Sequence, residues 1–128
     1  MSIRIVRLGT PRARGEGTRL GTVRRPPRGV PKTRFASENW YDVWFPTLAP
    51  SEGTRKLGLA ADTPAKWRVF GRRYRAEMAK PDARHALDVL AALSHTANFS
   101  VGCYCEDEHR CHRSILRALL AERGARIE

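Results

Sequence analysis

Three cysteines and two of the four histidines fall within one stretch, Val101 to Leu120. Three adjacent acids, Glu106, Asp107 and Glu108, stand between them, and Arg113 and Ser114 follow. These residue types support three chemistries. The first is metal binding: Cys103, Cys105, Cys111 and His112, with His109, look like ligands, and Cys105, Cys111 and His112 are the donors to consider. The spacing speaks against it. Structural zinc favours knuckles with two residues between the cysteines and a second pair elsewhere. Here Cys103 and Cys105 are followed only by the adjacent Cys111 and His112. On an extended strand, Cys103 and Cys105 stand about 7 Å apart, a poor chelate. The second chemistry is a nucleophile. A helix starting at Cys111 would lower its thiol pKa through the helix dipole, with His109 or His112 as base. The Cys-to-Arg spacing of the protein phosphatases is met from neither Cys103 nor Cys105. The third is an anion cradle. The first turn of a helix has free backbone N–H groups, and Arg113 and Ser114 add a guanidinium fork and a hydroxyl. The sequence favours this third reading. Glu106, His112 and Cys111 are the candidates for catalysis, and no acid–base pair stands out among them.

The surrounding pattern predicts the elements that hold this stretch. "NFSVGCYC" (98–105) has few polar residues and reads as a buried, parallel central strand. "CHRSILRALLAERG" (111–124) reads as a helix closed by Gly124. "IRIVRLG" (3–9) is a first strand and "RLGTVRR" (19–25) a weaker second one. "TPRARGEGT" (10–18), rich in Gly and Arg, is predicted as a mobile basic loop. Ser37 is predicted to cap a short helix with Trp40, Val43 and Trp44 on one face, ended by Pro46 and Pro50. Thr63 and Pro64 open a longer helix whose stripe is Trp67, Phe70, Tyr74 and Met78. "PDARHALDVLAALSH" (81–95) is another, and "ARIE" (125–128) a short edge strand. Strand, helices, strand and helix together predict a small single three-layer α/β domain over 1–128. Its sheet is mostly parallel and Rossmann-like. Ligands of such sheets bind beyond the carboxyl ends of the strands, which is where the loop after Tyr104 falls.

Composition narrows the class. No apolar run is long enough to span a membrane, and "MSIRIVRLGT" has no signal-peptide core. Three cysteines with two of them two apart argue against a disulfide framework, so the expected location is the cytoplasm. The formal net charge is +11. Residues 1–34 hold ten Lys or Arg against the single acid Glu16, whereas the rest of the chain is nearly balanced. Such a segment attracts phosphates and nucleic acid, or is simply a solvated Arg-rich surface.

Four segments carry a family resemblance. "RRPPRGVPK" (24–32) resembles an Arg-x-Trp-Pro-Arg-Gly-x-x-Lys motif through Arg24, Pro27, Arg28, Gly29 and Lys32, with Pro26 at the Trp position and Val23 where an Asp is usual. "WFPTLAPSEGTRK" (44–56) resembles a second segment through Trp44, Ala49, Pro50, Ser51 and Arg55. "WRVFGRRYRAEM" (67–78) resembles a third through Phe70, Arg73, Tyr74 and Glu77. "CYCEDEHRCHRS" (103–114) resembles a Cys-x-Glu…Cys-His-Arg-Ser element from another branch of the same family. The family is domain of unknown function 488, with its YeaO-like members. The resemblance implies a compact α/β domain and leaves the chemistry open. It suggests that Arg24, Arg28, Ser51, Arg55, Arg73, Tyr74, Arg113 and Ser114 gather at one end of the sheet.

The expected function is binding of a phosphate-bearing ligand, a nucleotide or nucleic acid, at an Arg-rich pocket at the start of the last helix. Arg113 and Ser114 would cradle the anion, Arg73, Arg28, Arg55 and Ser51 would complete the pocket, and Tyr74 would orient or stack. The alternatives are a non-specific nucleic-acid-binding accessory protein, and a metal or redox sensor through Cys105, Cys111 and His112. The sequence names no cofactor and sets no oligomeric state.

Overall fold

A computed structural model describes residues 1–128. Four strands, β1 (Ile3–Arg7), β2 (Thr18–Gly21), β3 (Val43–Trp44) and β4 (Phe99–Cys103), form one sheet in the order β1-β4-β2-β3. Every pairing is parallel. β4 lies between β1 and β2, with Phe99 opposite both Ile3 and Thr18, and each of its five residues is buried. That position explains its unbroken run of small and apolar residues. Ile127 adds a single parallel bridge to Ile3, the remnant of the predicted edge strand.

The two faces of β4 are covered differently. Phe99 and Val101 point into a core built with Phe70, Tyr74 and Met78 of α2 (Pro64–Met78), Leu87 and Leu90 of α3 (Pro81–Leu93), and Leu116, Leu119 and Leu120 of α4 (His112–Glu122). Ser100 and Gly102 face the other way, under irregular chain. A parallel connection must carry the chain back to the start of the next strand. The links from β1 to β2 and from β2 to β3 do this without an α-helix, the second holding only a 3-10 turn at Lys32–Arg34. The third layer of this domain is therefore loop.

The segment 10–18, predicted as mobile, is pinned to the sheet from within. The carboxylate of Glu16 accepts from Arg19 Nε at 2.8 Å, from Arg19 Nη2 at 3.0 Å and from Ser100 Oγ at 2.8 Å. Both side chains of the pair are almost fully buried. Arg19 Nη1 donates to the carbonyls of Thr10 and Asn39, closing both loops over the same guanidinium. Gly17 has φ +80, and a Cβ there would lie 1.9 Å from the Asn98 carbonyl oxygen, so the loop needs glycine at that point.

Helices α2, α3 and α4 lie where the sequence predicts. Thr63 Oγ1 accepts from the Lys66 N–H, Pro64 takes the first helical position, and Gly124 closes the last helix with φ +78. The helix predicted after Ser37 does not form. Asn39 adopts φ 64, which lets the Trp40 N–H close on the Phe35 carbonyl and ends the turn. Val43 and Trp44 then pair with Leu20 and Gly21 as an edge strand. The indole of Trp44 donates to the Val23 carbonyl at 2.7 Å. The helix in this region comes later, as α1 (Glu52–Ala60). Ser51 caps it, and the Glu77 carboxylate accepts from the Ser51 N–H, the Ser51 hydroxyl and the Thr54 hydroxyl. No helix is long and apolar enough to cross a membrane.

Candidate functional site

β4 ends at Cys103 and the chain bends at Tyr104. The bend turns Cys105 back, so its Sγ lies 3.8 Å from that of Cys103. The wide separation expected for an extended strand is thereby abolished. A 3-10 turn, Glu108–Arg110, follows. Asp107 accepts from the His109 N–H at its start, and Arg117 of α4 holds Glu108 through Nε at 2.7 Å and Nη2 at 2.9 Å. This turn delivers Cys111 and His112 to the first turn of α4, both buried.

His112 is fixed at both ring nitrogens. Nε2 lies 2.9 Å from the Thr22 carbonyl, which can only accept, so Nε2 carries a proton. Nδ1 faces the Cys111 Sγ at 3.7 Å. The ring of Tyr74 packs edge-on against the imidazole at 5.4 Å. Cys103, Cys105 and Cys111 thus form a thiol cluster with an imidazole on one side. Their acidities split. Contacts with the Cys105 and Cys111 thiols, then burial, push Cys103 far up. Hydrogen bonds from those neighbours, helped by the charges of Arg113 and Arg55, bring Cys105 down to about 3. Contact with Cys103 first, and with His112 further down, also lowers Cys111. Three thiols in mutual contact share the first negative charge, and the half-exposed Cys105 is where it is best solvated.

The cluster floors a cavity of about 170 Å³. Trp67, Phe70 and Leu59 form an apolar wall, with Trp67 stacked on Phe70 at 4.7 Å. Gly58 permits this, since a Cβ there would lie 2.7 Å from the Phe70 ring. Arg24, Arg25, Arg55 and Arg110 complete the lining. A groove of about 620 Å³ adjoins it, sharing Arg25, Arg55 and Tyr104 and adding Arg7, Arg28, Pro26 and Trp40. No carboxylate lines either space. Arg24 is held by the carbonyls of Ala49 and Pro50, and Arg110 by that of Ala61, so neither charge is neutralised by its anchor. Arg25 and Arg55 both reach Glu52, at 3.5 and 3.0 Å. All of this lies at the carboxyl end of the sheet, where parallel sheets place their ligand sites.

The predicted site residues divide. Arg28 and Arg55 line the groove. Arg113 does not cradle an exposed anion. It is 3 % exposed, and its Nη2 donates to the Cys105 carbonyl at 2.6 Å, bracing the bend from beneath. Ser114 turns its hydroxyl back onto the Cys111 carbonyl, which satisfies it within the helix end. Tyr74 is fully buried and donates to the Leu48 carbonyl at 2.7 Å, so it is core and cannot stack on a ligand. Arg73 is exposed on α2 and lines neither space. Ser51 is occupied as the cap of α1. Glu106 is exposed and away from both spaces, so it does not pair with the buried His112. Strand spacing set Cys103 and Cys105 too far apart to act together, which the bend corrects, and the sequence did not point to Arg25, Arg110, Trp67 and Tyr104 as lining. Arg25 next to the Pro-Pro-Arg-Gly run was the one available signal among them.

A family model described as the active DUF488-N3 subclade matches residues 3–124. The chain belongs to the DUF488 family. The match runs from β1 to the glycine that closes α4, so the thiol cluster and the arginine-lined groove of this DUF488 protein both lie inside it. No curated protein and no solved structure matches the chain.

Proposed function

We propose that this DUF488 chain binds a phosphate-bearing ligand, a nucleotide or a short nucleic-acid segment, in the paired spaces at the carboxyl end of its sheet. One observation carries the reading. Six arginines, Arg7, Arg24, Arg25, Arg28, Arg55 and Arg110, line two adjoining spaces that no carboxylate lines. Arginine forks match phosphate oxygens in pairs. The aromatic residues support the same reading, because Trp40 and Tyr104 in the groove and Trp67 in the cavity offer faces and edges to bases. The cavity is smaller than the 300–1,000 Å³ or so typical of sites for whole small molecules. It suits one end of a ligand whose phosphates continue along the groove.

The basic first third of the chain supplies Arg7, Arg24, Arg25 and Arg28 to this site, which favours a localised site over diffuse attraction by a charged surface. Fluorescence anisotropy with labelled single-stranded oligonucleotides tests the reading, with nucleoside mono- and triphosphates as competitors. Binding at low salt is expected, together with its loss in the double variant Arg25→Ala, Arg28→Ala. Arg73→Ala, on a helix face away from the groove, should bind as the unmodified protein does. Equal loss in both variants would point to diffuse charge instead, and no binding of any probe at low salt would end the proposal.

A further inference from the structure

We propose that Cys103, Cys105, Cys111 and His112 form a binding site for one thiophilic divalent cation of the Zn²⁺ class. The site shares the cavity with the arginines but does not rest on the anion reading, since its donors are the thiols and imidazole on the cavity floor. A tetrahedral zinc with Zn–S of about 2.3 Å sets two of its sulfurs about 3.8 Å apart, and a sulfur and an imidazole nitrogen about 3.6 Å apart. Cys103 and Cys105 stand at 3.8 Å and Cys111 and His112 Nδ1 at 3.7 Å. One donor atom from each of Cys103, Cys111 and His112 lies within 4.8 Å of the other two, and Cys105, outside that set of three, adjoins it through its contact with Cys103.

Three further observations support the site. First, His112 is already in the state a metal requires. Its Nε2–H donates to the Thr22 carbonyl, which leaves the Nδ1 lone pair directed at the thiols. This is the outer hydrogen bond that fixes the tautomer of metal-bound imidazoles. Second, the thiols have no other polar partners. Their only contacts of that kind are with one another and with His112. Third, Arg113 is buried beside them with no carboxylate bonded to it and with its Nε unpartnered. A buried cation without a counter-charge is costly. Three thiolates, a neutral imidazole and a dication leave one net negative charge, so a counter-charge stays beside Arg113 when the metal is bound.

Loading is a ligand exchange. The aqua ion enters through the cavity, its Zn–O bonds to water are replaced by three Zn–S bonds and one Zn–N bond, and each thiol proton still held by the cluster passes to solvent. No electrons move. Cys105, the half-exposed donor, is the member that can release to admit a fourth ligand from the cavity.

The test uses the full-length chain with all three thiols shown to be reduced, titrated with Co²⁺. One equivalent should give tetrahedral d–d bands and an intense sulfur-to-cobalt charge-transfer band, both removed by stoichiometric Zn²⁺. Cys105→Ser should stay folded and lose about a third of the charge-transfer intensity, one sulfur in three. Cys111→Ser should lose a similar share and bind more weakly. Absence of a charge-transfer band in the reduced, folded, unmodified protein would overturn the proposal. So would a band of unchanged intensity in both variants, which would place the ion elsewhere. Oligonucleotide binding plays no part in the readout, so this result stands apart from that of the anion test.

Discussion

Glu16 ties its own loop to two strands with one carboxylate. Burial raises its pKa, but the hydrogen bonds from Arg19, Ser100 and the Ala13 N–H outweigh that and bring it to about 2. A carboxylate depressed in the folded state gives stability above its unfolded value, near 4.5, and loses it as pH falls from there toward 2. The lost share is on the order of 3 kcal/mol. Glu16→Gln leaves Arg19 buried without its counter-charge, which costs about 3–5 kcal/mol at neutral pH. Urea unfolding followed by tryptophan fluorescence at pH 7, 4 and 3 measures both effects. The variant should start lower and lose less between pH 4.5 and 3 than the unmodified protein. A variant with the same midpoint at every pH would show that the buried pair is energetically neutral. At this scale the sequence was partly legible. Cys111 and His112 lie four residues before Ile115 and Leu116, a helical spacing that turns both inward, and both are buried. The sequence could not place Cys105, because a bend at Tyr104 depends on what packs around it and leaves no periodic trace.

The helices divide by whether their own residues announce them. α2 and α3 carry a cap or an N-terminal proline and an apolar stripe, so local sequence suffices. α1 has Gly53, Gly58 and few apolar residues, and its start is secured from outside, by Glu77 of α2. That bond spans elements and cannot be read from spacing. Conversely, Trp40, Val43 and Trp44 fall at helical spacing, yet Asn39 breaks the turn and β2 captures Val43 and Trp44 as an edge. Two serines test the exchange of one helix for the other. Ser51→Ala removes a cap and the hydroxyl's bond to Glu77, keeping only the backbone N–H bond, and should cost about 1–2 kcal/mol. Ser37→Ala removes only a weak bond on an exposed turn and should stay within about 0.5 kcal/mol. Thermal melts of the two variants decide it; the reverse order would restore the helix after Ser37.

For the whole molecule, charge and layer order act together. The excess positive charge sits in the first third, and the fold brings four of its arginines to the carboxyl end of the sheet beside Arg55 and Arg110. Binding of a single strand there should weaken with salt, and each arginine removed should lower the slope of log K against log salt by about 0.7. Anisotropy titrations from 50 to 300 mM salt measure it, and an unchanged slope in Arg28→Ala would mean that Arg28 meets no phosphate. The α/β class and parallel sheet were legible from the order of elements. The loop-built third layer was not, because Glu16 and Arg19 look like ordinary surface charges until Ser100 comes between β1 and β2.

The central place of β4 also sets a timetable. β1 has no hydrogen-bonded strand neighbour among β2 and β3; its partner is β4, which comes after three helices. Pairing across so much chain is slow compared with local contacts. During synthesis the arginine-rich third therefore emerges long before the strand that closes it, and its charges stay uncovered until Cys103 has been made. A fragment ending at Asn98 should show no protected strand amides by hydrogen exchange, and adding residues 99–124 should restore protection in β1 and β2 together.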